Sequence, residues 1–561
     1  MKITGSELVI QLLKRQGVDL IFGYPGGAIM PIYDSLYQSG IRHILTKHEQ
    51  GACHAADAYA RVTGRPGVVF ATSGPGATNL VTGLANALLD SIPLVAITGQ
   101  VTTRSIGTDA FQEADIYGVT IPVTKYNYLV KNIAQLPETF AEAFYVATIG
   151  RPGPVLIDVP KDVQFASLEY DPDAEIPIPL LKYKPETTHH YDKQLEKVVE
   201  WLRTAERPVL YVGGGCALSG ASEEVRQLAR QANLPTTTTL MGLGEFPGDD
   251  PLFLGMPGMH GTRYANEAID KADLLISAGA RFDDRVTGDV SKFATNAKII
   301  HIDIDPAEHG KVVHPHLALV GNLKTVLAQL LERMNGLEFS PRAAWMEQIA
   351  AWKQQYPLTY TKSDTTIKPQ YVLEQISEIT KGEAIITTGV GQHQMWAAQY
   401  CCIKHPRSWV TSGGLGTMGY CTPSAIGAQL GQPKRTVICI TGDGSFQMNI
   451  QELATAAYHR IPIKIFLFDN GYLGMVRQWQ EFFFDRRYSE TFLEAGNPDF
   501  VAIAKGYGLQ ALKITKPDEV VPAIRSALDT PGPVLIHCLV EKEENVYPMI
   551  PSGKSVHETI G

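Results

Sequence analysis

The sequence lacks the features that mark membrane, secreted and nucleic-acid-binding proteins. No apolar run approaches the roughly 20 residues that a membrane span needs, and no signal-peptide pattern precedes the first helical pattern. The seven cysteines form no Cys-x-x-Cys motif and no cluster with histidine. Because most of them lie within apolar runs, we expect buried free thiols in a reducing compartment. The net charge of −9 argues against nucleic acid or an anionic membrane as the main partner. Together these absences predict a soluble, cytoplasmic protein.

What the sequence contains is the pattern of a large α/β protein. A chain of 561 residues is too long for one hydrophobic core, so three or four domains are expected. Short β-branched runs such as Val437–Ile440 alternate with helical patterns, which predicts parallel sheets covered by helices. At the N-terminus, Thr4 and Glu7 fit a capping box, and we expect the first helix there.

The two ends of the chain repeat the same short motifs in the same order. Three motifs recur at nearly equal spacing: Ser73–Gly76 as Thr441–Gly444, Ile92–Leu94 as Ile461–Ile463, and Pro152–Ile157 as Pro531–Ile536. Each accompanies a predicted strand. Three echoes in the same order indicate two domains of one fold, one at each end of the chain.

A third α/β segment of different character lies between these two domains. Linkers are predicted at 168–190, which is rich in proline, and at 335–368, which is polar and has no strand pattern. We therefore divide the chain into 1–165, 190–335 and 368–545. The expected fold is three doubly wound parallel-sheet domains, in which two similar domains flank a Rossmann-like one.

One strand end carries the pattern of a phosphate and metal site. The predicted strand Val437–Thr441 is followed by Gly442–Ser445, which breaks it before a helical stretch. Glycines at such a turn let backbone N–H groups meet a phosphate, and Asp443 beside a diphosphate needs a divalent cation between them. The end of the next strand should bring Asn470 close to Asp443. Each tripeptide alone is also typical of a simple turn, but together they match the thiamine-diphosphate motif.

The domain that echoes this one should supply a second carboxylate. Thiamine diphosphate is activated when a carboxyl group hydrogen-bonds N1′ of its pyrimidine, and that carboxyl must lie in an apolar pocket away from the metal. Glu49, between the run Ile41–His48 and the helical stretch Gly51–Ala56, is the candidate. A glutamate in this setting is also typical of a surface residue or a helix cap. Its place in the echoing domain favours the catalytic interpretation, with the cofactor between one domain of each kind and a homodimer as the minimum assembly.

Long strings of the sequence match one enzyme family over essentially the whole chain. They are Phe22–Ala28, His48–Gln50, Thr72–Asn79, Gly107–Glu113, Gly258–Gly261, Gly279–Arg285, Gly391–Trp396 and Gly474–Gln480. With these strings the sequence resembles the catalytic large subunits of the acetohydroxyacid synthase (acetolactate synthase) family of thiamine-diphosphate enzymes.

The resemblance implies a reaction, cofactors and partners. Pyruvate would be decarboxylated and its two-carbon hydroxyethyl unit added to a second pyruvate, giving 2-acetolactate, or to 2-ketobutyrate, giving 2-aceto-2-hydroxybutyrate. These are entry steps to valine, leucine and isoleucine. Residues 1–165 would bind the cofactor pyrimidine, 190–335 FAD, and 368–545 the diphosphate and Mg²⁺. A homodimer or tetramer and a small ACT-type regulatory subunit are the implied partners.

The family also implies roles for individual residues at the thiamine-diphosphate site. The catalytic group would be Glu49, Gly27, Gln112 and Met418. The metal ligands would be Asp443, Asn470 and the Tyr472 carbonyl. Further cofactor contacts would be Val390, Gly391, Gln392, His393, Gly416, Gly442, Gly444, Ser445, Gly474 and Met475. Substrate contacts would be Phe111, Lys161, Met475, Val476 and Trp479. From the residues alone, Met418 is also typical of a core gap-filler, Trp479 of helix packing and Lys161 of a solvated charge.

The middle segment carries a weaker pattern of its own. A predicted strand runs into the glycines of 207–215, and another ends at Asp303 and Asp305, where acidic groups can hold ribose hydroxyls. An ordinary α/β domain with turn residues would show the same features. The resemblance implies that these residues contact FAD: Arg151, Gly214, Met259, His260, Gly261, Thr262, Gly279, Arg281, Asp283, Asp303 and Asp305. Since the implied reaction has no net redox change, FAD would be structural.

One departure from the family and three rival functions stay open. The family usually has glycine where this sequence has Cys421, which would perturb the site if the position needs positive φ. Pyruvate oxidase and glyoxylate carboligase are similar enzymes, but the first is not expected to carry Gly474–Gln480 and the second lacks a carboxylate at Glu49. A non-catalytic homologue would be expected to have lost Glu49 or the diphosphate–metal clamp, the site formed by Asp443 and Asn470 at the two strand ends.

Overall fold

Three parallel β-sheets organise the chain in the computed structural model, which describes residues 1–178 and 191–561. Residues 179–190 lie outside this description, and they include the end of the predicted linker 168–190 and the start of the predicted middle domain. Alternate residues of single strands face two different cores; for example, Val69 and Ala71 pack in one core while Val68 and Phe70 pack in another. Both faces of the sheets are therefore covered, which confirms the predicted doubly wound α/β class.

The N-terminal sheet has six parallel strands in the order β3-β2-β4-β5-β7-β6. The strands of this domain, including β1 and β8 outside the six-stranded sheet, are β1 Lys2–Thr4, β2 Leu20–Gly23, β3 Arg42–Leu45, β4 Gly67–Ala71, β5 Leu94–Gln100, β6 Tyr126–Leu129, β7 Pro154–Pro160 and β8 Ser167–Glu169. The helices are α1 Gly5–Arg15, α2 Met30–Leu36, α3 Glu49–Thr63, α4 Pro75–Thr78, α5 Val81–Leu89, α6 Ile116–Thr120, α7 Leu136–Thr148 and α8 Lys161–Phe165. Strands β1 and β8 form an antiparallel pair, which the sequence did not predict. The predicted capping box of Thr4 and Glu7 is confirmed at α1.

The middle sheet has five parallel strands in the order β10-β9-β11-β12-β13. The strands are β9 Pro208–Val212, β10 Thr236–Thr238, β11 Leu274–Ala278, β12 Lys298–Asp303 and β13 Leu317–Val320. The helices are α9 Asp192–Thr204, α10 Gly215–Ser219, α11 Ser222–Gln231, α12 Arg263–Lys271, α13 Asp284–Thr287, α14 Leu323–Met334 and α15 Ala343–Gln355. Helix α15 lies inside the predicted linker 335–368, yet its Trp345 and Ile349 are buried in a core with residues of the middle domain.

The C-terminal sheet repeats the strand order of the N-terminal sheet, as β15-β14-β16-β17-β19-β18. The strands are β14 Ile385–Thr388, β15 Trp409–Val410, β16 Val437–Gly442, β17 Lys464–Asp469, β18 Gln510–Ile514 and β19 Val534–Leu539. The helices are α16 Pro369–Ile379, α17 Gln392–Tyr400, α18 Cys421–Gly431, α19 Asp443–Gln447, α20 Glu452–Tyr458, α21 Gly474–Phe483, α22 Phe500–Gly506 and α23 Val520–Asp529. The shared strand order bears out the two similar domains that the echoes predicted.

The N-terminal and C-terminal domains meet where helices α3 and α18 pack in one core. Gly427 of α18 lies so close to the Ala55 carbonyl of α3 that an added Cβ atom would overlap it. Beside this contact, Tyr420 Oη donates to Asp57 Oδ1 at 2.5 Å, and Arg61 Nε donates to the same oxygen at 2.6 Å. Because all three polar side chains are buried, the network joins the domains through satisfied polar groups.

The cysteines differ from the expectation in one pair. Cys421 and Cys439 form a disulfide between α18 and β16, so the prediction of free thiols is wrong for these two residues. Both belong to strand and helix surfaces that pack together in the core, which brings residues 18 positions apart into contact. The other five cysteines are free. Among the residues that the structure describes, no helix is long and apolar enough to cross a membrane.

Candidate active site

A cavity of about 1650 Å³ lies among the three domains: it is lined at the carboxyl ends of strands of the middle and C-terminal sheets, and by residues 88–91 and 148–152 of the N-terminal domain. Most predicted site residues line it. From the C-terminal domain these are Val390, Gly391, Gln392, His393, Gly416, Met418, Gly442, Asp443, Gly444, Ser445, Asn470, Tyr472, Gly474, Met475, Val476 and Trp479. From the other two domains they are Arg151, Gly214, Met259, His260, Gly279, Arg281, Asp283, Asp303 and Asp305. Strand ends of parallel sheets are where ligands of α/β proteins bind.

Asp443 is the central acidic group of the C-terminal part of the cavity. It begins α19 directly after β16 and is 2% exposed. Burial, together with the nearby charge of Asp469, raises its pKa to about 7. Asn497 Nδ2 donates to Asp443 Oδ2 at 2.8 Å. A buried carboxyl next to a second acid is a group that a divalent cation would return to its charged form.

Asp469 differs from Asp443 because it has a histidine partner. Its Oδ2 atom lies 2.8 Å from His537 Nε2. Although burial opposes the shift, this hydrogen bond and the charge of His537 hold the pKa of Asp469 below its ordinary value. Of the two neighbouring acids, Asp443 is therefore the one without a histidine among its hydrogen-bond partners. Asp443 is free in this sense to take a metal ion.

Asn470 is held in a defined orientation at the end of β17. Its Nδ2 donates to Gln392 Oε1 at 3.2 Å, and its Oδ1 accepts from the Tyr472 backbone N–H at 3.1 Å. An amide oxygen has two lone pairs, so one remains for a further partner. The turn therefore presents an amide oxygen beside the acid of the preceding strand end. No group of three or more His, Cys, Asp or Glu that could by itself hold a metal ion occurs among the described residues, and the predicted ligand set does not require one.

Close packing explains why several cavity positions are glycine. A Cβ atom at Gly474 would overlap Gln392 Oε1 and lie 2.8 Å from Asn470 Nδ2. A Cβ atom at Gly442 would lie 2.8 Å from His393 Nδ1. His393 is buried, its Nε2 has no hydrogen-bond partner, and burial lowers its pKa to about 3. The ring is thus neutral at physiological pH, with one nitrogen available to a ligand.

An apolar wall faces these polar groups. Met418, Met475, Val476 and Trp479 contribute to it. Trp479 Nε1 is buried without a hydrogen-bond partner, and the Arg285 guanidinium lies 6.0 Å from the centre of a Trp479 ring. A smaller cavity of about 560 Å³ shares Met475, Val476 and Trp479 with the large one. Residues of helix α21 therefore line both cavities.

The middle-domain part of the cavity is lined by charged and unpaired polar groups. Arg151 Nη1 donates to Glu308 Oε1 at 2.6 Å and to Asp305 Oδ2 at 3.3 Å. Tyr211 Oη and His260 Nδ1 are buried and have no hydrogen-bond partner. Buried polar atoms without partners are uncommon, and they point to a polar ligand. Glycines that follow β9 allow close approach, since a Cβ atom at Gly215 would lie 2.8 Å from the Gly279 Cα.

Two predicted FAD contacts do not line the cavity. Thr262 is buried and caps α12 by accepting from the Ala265 N–H at 3.2 Å, while its hydroxyl donates to the Leu254 carbonyl at 2.6 Å. Gly261 packs against the backbone of Pro257. Both therefore hold the neighbouring Met259–His260 segment in shape, and the structure does not bring them to the cavity surface.

Apart from Arg151, the predicted residues of the N-terminal domain form a second group that does not line this cavity. Glu49 begins α3, is 8% exposed, and accepts from Asn79 Nδ2 at 2.9 Å. Gln112 has a φ of 58°, and its backbone packs on Gly74, two residues from Gly76, which lies beside Glu49. The remaining members are Gly27, which faces open space, Phe111, which is 88% exposed, and Lys161 at the start of α8.

Three contacts were missed from the sequence. Asn497, which bonds both neighbouring acids, follows a short turn and belongs to no motif. Glu308 lies just beyond the Asp303–Asp305 segment and pairs with Arg151, so proximity to that segment was an available signal. Asn79, the partner of Glu49, ends one of the strings that carry the family resemblance. Only the contact of Asn497 leaves no trace in the sequence.

The departure at Cys421 does not strain the site. Cys421 is the first residue of α18, its φ is not positive, and it does not line the cavity. Its sulfur lies 3.4 Å from the carbonyl oxygens of Thr387 and Ile440. The position therefore does not need glycine for its backbone, so the condition under which Cys421 would perturb the site is not met.

The fold is that of a thiamine pyrophosphate enzyme: two similar domains lie on either side of a middle domain along the chain, and acidic residues line the strand ends. The family models agree: the "Thiamine pyrophosphate enzyme, N-terminal TPP binding domain" matches residues 3–119, the central domain 195–330, and the C-terminal TPP binding domain 389–538.

Similar proteins narrow this class to one family. The acetolactate synthase large subunit of Corynebacterium glutamicum is 50% identical over 99% of this chain and 89% of its own length. That of the alga Cyanidium caldarium is 49% identical over 100% and 97%. The acetolactate synthase isozyme 2 large subunit of Escherichia coli K12 is 47% identical over 100% and 99%. The chain belongs to the acetolactate synthase large-subunit family.

Proposed function

We propose that this chain decarboxylates pyruvate and adds the two-carbon unit to a second 2-keto acid, pyruvate or 2-ketobutyrate. The observation that carries the proposal is the cavity in which the Asp443–Asn470 strand ends face the apolar wall of Met475, Val476 and Trp479. Polar groups without partners, including His393 Nε2 and Trp479 Nε1, point into a site built for a ligand.

Thiamine diphosphate with Mg²⁺ fits the C-terminal part of this cavity. Asp443, Asn470 and the Tyr472 carbonyl would hold the metal, because they offer three hard oxygen atoms at adjacent strand ends. The glycines around Asp443 leave backbone N–H groups open to a diphosphate. When bound, this cofactor would supply a nucleophilic carbon and, in the positively charged ring that carries it, an acceptor for the electron pair left by decarboxylation. Met418 lies beside Gly444, where it would support the cofactor from below.

FAD fits the middle-domain part. The unpartnered Tyr211 hydroxyl and His260 Nδ1, and the glycines after β9, are compatible with a polar ligand of nucleotide size. Arg151, Asp303 and Asp305 would hold its phosphate and ribose groups. Because the proposed reaction transfers no electrons overall, FAD would have a structural role between the domains that line this cavity.

Glu49 would hydrogen-bond the cofactor pyrimidine, with its carboxylate held by Asn79. Since Glu49 does not line the cavity that Asp443 lines, the proposal requires a second copy of the chain, whose Glu49 would complete the site. Gly27 and Gln112 belong to the same group as Glu49 and would lie near the reacting carbons. Phe111 and Lys161 would come from this side as well.

The acceptor would be selected on the opposite side of the cavity. Trp479 offers a large apolar surface to the additional methyl group of 2-ketobutyrate. One methylene in a hydrophobic pocket is worth about 1–3 kcal/mol, which is enough to set a preference between the two acceptors.

Partners, domain roles and location complete the proposal. The relatives are named large subunits, which supports a separate small regulatory subunit for this chain. Residues 1–165, 190–335 and 368–545 would bind the pyrimidine, FAD and diphosphate–Mg²⁺, respectively. A cytoplasmic location is part of the same proposal, whereas a maize relative is named chloroplastic.

The test is a competition assay. The full chain is supplied with thiamine diphosphate, Mg²⁺ and FAD, then with pyruvate and 2-ketobutyrate, and both acetohydroxyacids are quantified. We expect both products, with no loss of flavin absorbance at 450 nm beyond about 10%, as a non-redox flavin requires. Acetyl phosphate or peroxide from pyruvate would instead identify an oxidase, and absence of any product would contradict the proposal.

A matched pair of variants tests the assigned carboxylate. Glu49→Gln should lower turnover by about 10²–10⁴-fold, the range of a lost acid–base contribution. Glu196→Gln, at an exposed site of α9, makes the same chemical change away from the cavity and should leave turnover unaltered. Equal turnover of both variants would remove Glu49 from the mechanism.

A further inference from the structure

A buried glutamate of the C-terminal domain reaches the N-terminal domain beside Glu49. Glu452, on α20, is 0% exposed. Its Oε1 accepts from the Lys47 backbone N–H at 3.0 Å, across 405 residues of sequence. Lys47 stands two positions before Glu49, in the turn that joins β3 to α3. A carboxylate buried this completely has a structural or functional reason to be there.

A second side chain of α20 holds the same turn. Thr455 lies one helical turn after Glu452 and donates its hydroxyl to Glu452 Oε2 at 2.7 Å. The Thr455 hydroxyl also lies 3.4 Å from the Leu45 carbonyl, at the last residue of β3. The two α20 side chains therefore contact both the end of the strand and the backbone that leads into α3. A turn held at both ends has little freedom to change direction.

The first turn of α3 is shaped around the Glu452 carboxylate. A Cβ atom at Gly51 would overlap Glu452 Oε1 and lie 2.8 Å from its carboxyl carbon. Burial raises the pKa of Glu452 to about 7, while the hydrogen bonds from Thr455 and from the Lys47 and His48 backbone oppose that rise. The positive end of the α3 dipole further favours an anion at this place.

We propose that Glu452 is a positioning residue for Glu49: it fixes the β3–α3 turn and thereby the direction in which the Glu49 carboxylate points. This inference rests on the proposed role of Glu49. Glu452 itself touches neither the large cavity nor the Glu49 side chain in the described contacts. Glu452 would act only on the geometry of Glu49. A change at Glu452 should therefore alter the activation of the cofactor, and it should not alter the affinity of the Asp443–Asn470 site for the cofactor.

The experiment measures these two quantities separately, without substrate. The full chain is saturated with Mg²⁺ and thiamine diphosphate in deuterated buffer, and exchange of the cofactor C2 proton is followed by NMR after acid quench. The dissociation constant of the cofactor is obtained by fluorescence titration. Glu452→Ala should slow C2 exchange by about 10- to 100-fold, as expected for a displaced catalytic group. The dissociation constant should change by less than about 3-fold.

Conservative variants distinguish positioning from a general loss of structure. Glu452→Gln keeps an oxygen that accepts from Lys47 N–H, so its exchange rate should stay within about 3-fold of the parent. Thr455→Val keeps the shape of the helix but loses the hydroxyl, and exchange should slow in the same direction by a smaller factor. If Glu452→Ala does not fold, the exchange rate of Thr455→Val tests the inference in its place. Glu196→Ala is the exposed control and should match the parent.

Three results would overturn the inference. The first is an unchanged exchange rate in Glu452→Ala, and the second is a dissociation constant that rises by the same factor as the exchange rate falls. The third, which applies where Glu452→Ala does not fold, is an unchanged exchange rate in Thr455→Val. Glu49→Gln is measured in parallel to separate this inference from the proposed function. If Glu49→Gln exchanges as fast as the parent, the role of Glu49 fails. If Glu49→Gln is slow while Glu452→Ala is not, only the role of Glu452 fails.

Discussion

At the contact between helices α3 and α18, a glycine-to-alanine substitution should lower the stability of the protein, although the same substitution inside a helix usually raises it. Gly427 lies inside α18, where replacement of glycine by alanine ordinarily stabilises a helix by about 1 kcal/mol. In this structure, however, an added Cβ atom would lie 2.6 Å from the carbonyl carbon of Ala55, and closer still to its oxygen. Ordinary contact begins at 3.4 Å, and both neighbours are backbone atoms that no rotamer change can move. We therefore expect Gly427→Ala to destabilise the protein.

The size of the effect follows from the packing. The two helices would have to separate by about 1 Å, and a gap of that size forfeits about a quarter to a half of the attraction in each contact. Overpacking of this kind costs about 1–3 kcal/mol, and occasionally more. The apolar side chains near the contact are largely alanine, which have no flexible ends to absorb the shift. Because both overlapping atoms belong to the backbone, the cost should fall in the upper part of this range, about 2–3 kcal/mol. Subtracting the gain of about 1 kcal/mol in helix propensity leaves a loss of roughly 1–2 kcal/mol.

Urea denaturation followed by circular dichroism measures this change, with the transition midpoint as the readout. The matched control is Gly506→Ala in α22, where an added Cβ atom meets nothing within 4 Å. The control should be neutral or slightly stabilised, since only the propensity of the helix changes. If Gly427→Ala is stabilised like the control, the close approach of α3 and α18 is wrong.

Three further predictions concern single side chains. Burial raises the pKa of Asp158 to about 7 against bonds from Thr98 and Gln100. Folding therefore favours its acid form, so its contribution to stability is complete below about pH 4 and is lost as the pH rises to about 7. Asp158→Asn should flatten the plot of melting temperature against pH in this range. An unchanged slope would show that Asp158 does not cause the pH dependence. Trp479→Leu should abolish any preference for 2-ketobutyrate in the competition assay while acetolactate still forms; an unaltered product ratio would assign the indole to packing. Tyr420→Phe, which removes one donor to buried Asp57, should lower the unfolding free energy by about 1–3 kcal/mol in denaturant titrations. A neutral result would mean that Arg61 and Asn86 satisfy the carboxylate without Tyr420.

The sequence predicted those parts of the fold that depend on local pattern. The echo between Ser73–Gly76 and Thr441–Gly444 anticipated two sheets of one strand order, because both motifs follow buried strands in the same topology. The segment 335–368 was predicted to be a linker because it is polar. Its helix α15 buries only Trp345 and Ile349, and two apolar positions four residues apart are too few to stand out in a polar segment.

In the candidate site, too, the sequence predicted the residues that belong to local motifs and missed those that depend on tertiary contacts. Residues that belong to motifs, such as Asp443 and Asn470, line the expected cavity. Contacts that depend on tertiary folding were not visible: Asn497 reaches Asp443 across 54 residues, and Cys421 meets Cys439 only because α18 packs on β16. Pairings of this kind arise from the crossing of elements, and neither periodicity nor turn chemistry in one sequence encodes them.

The separation of Glu49 from the cavity lined by Asp443 has a genetic consequence. On the proposed assembly, a chain with Glu49→Gln retains an intact clamp, and a chain with Asp443→Asn retains an intact pyrimidine partner. Homodimers of either variant would contain two damaged sites. A mixed dimer would contain one site with both lesions and one with none. Two inactive alleles expressed in the same cell should therefore complement each other, in a protein encoded by a single polypeptide.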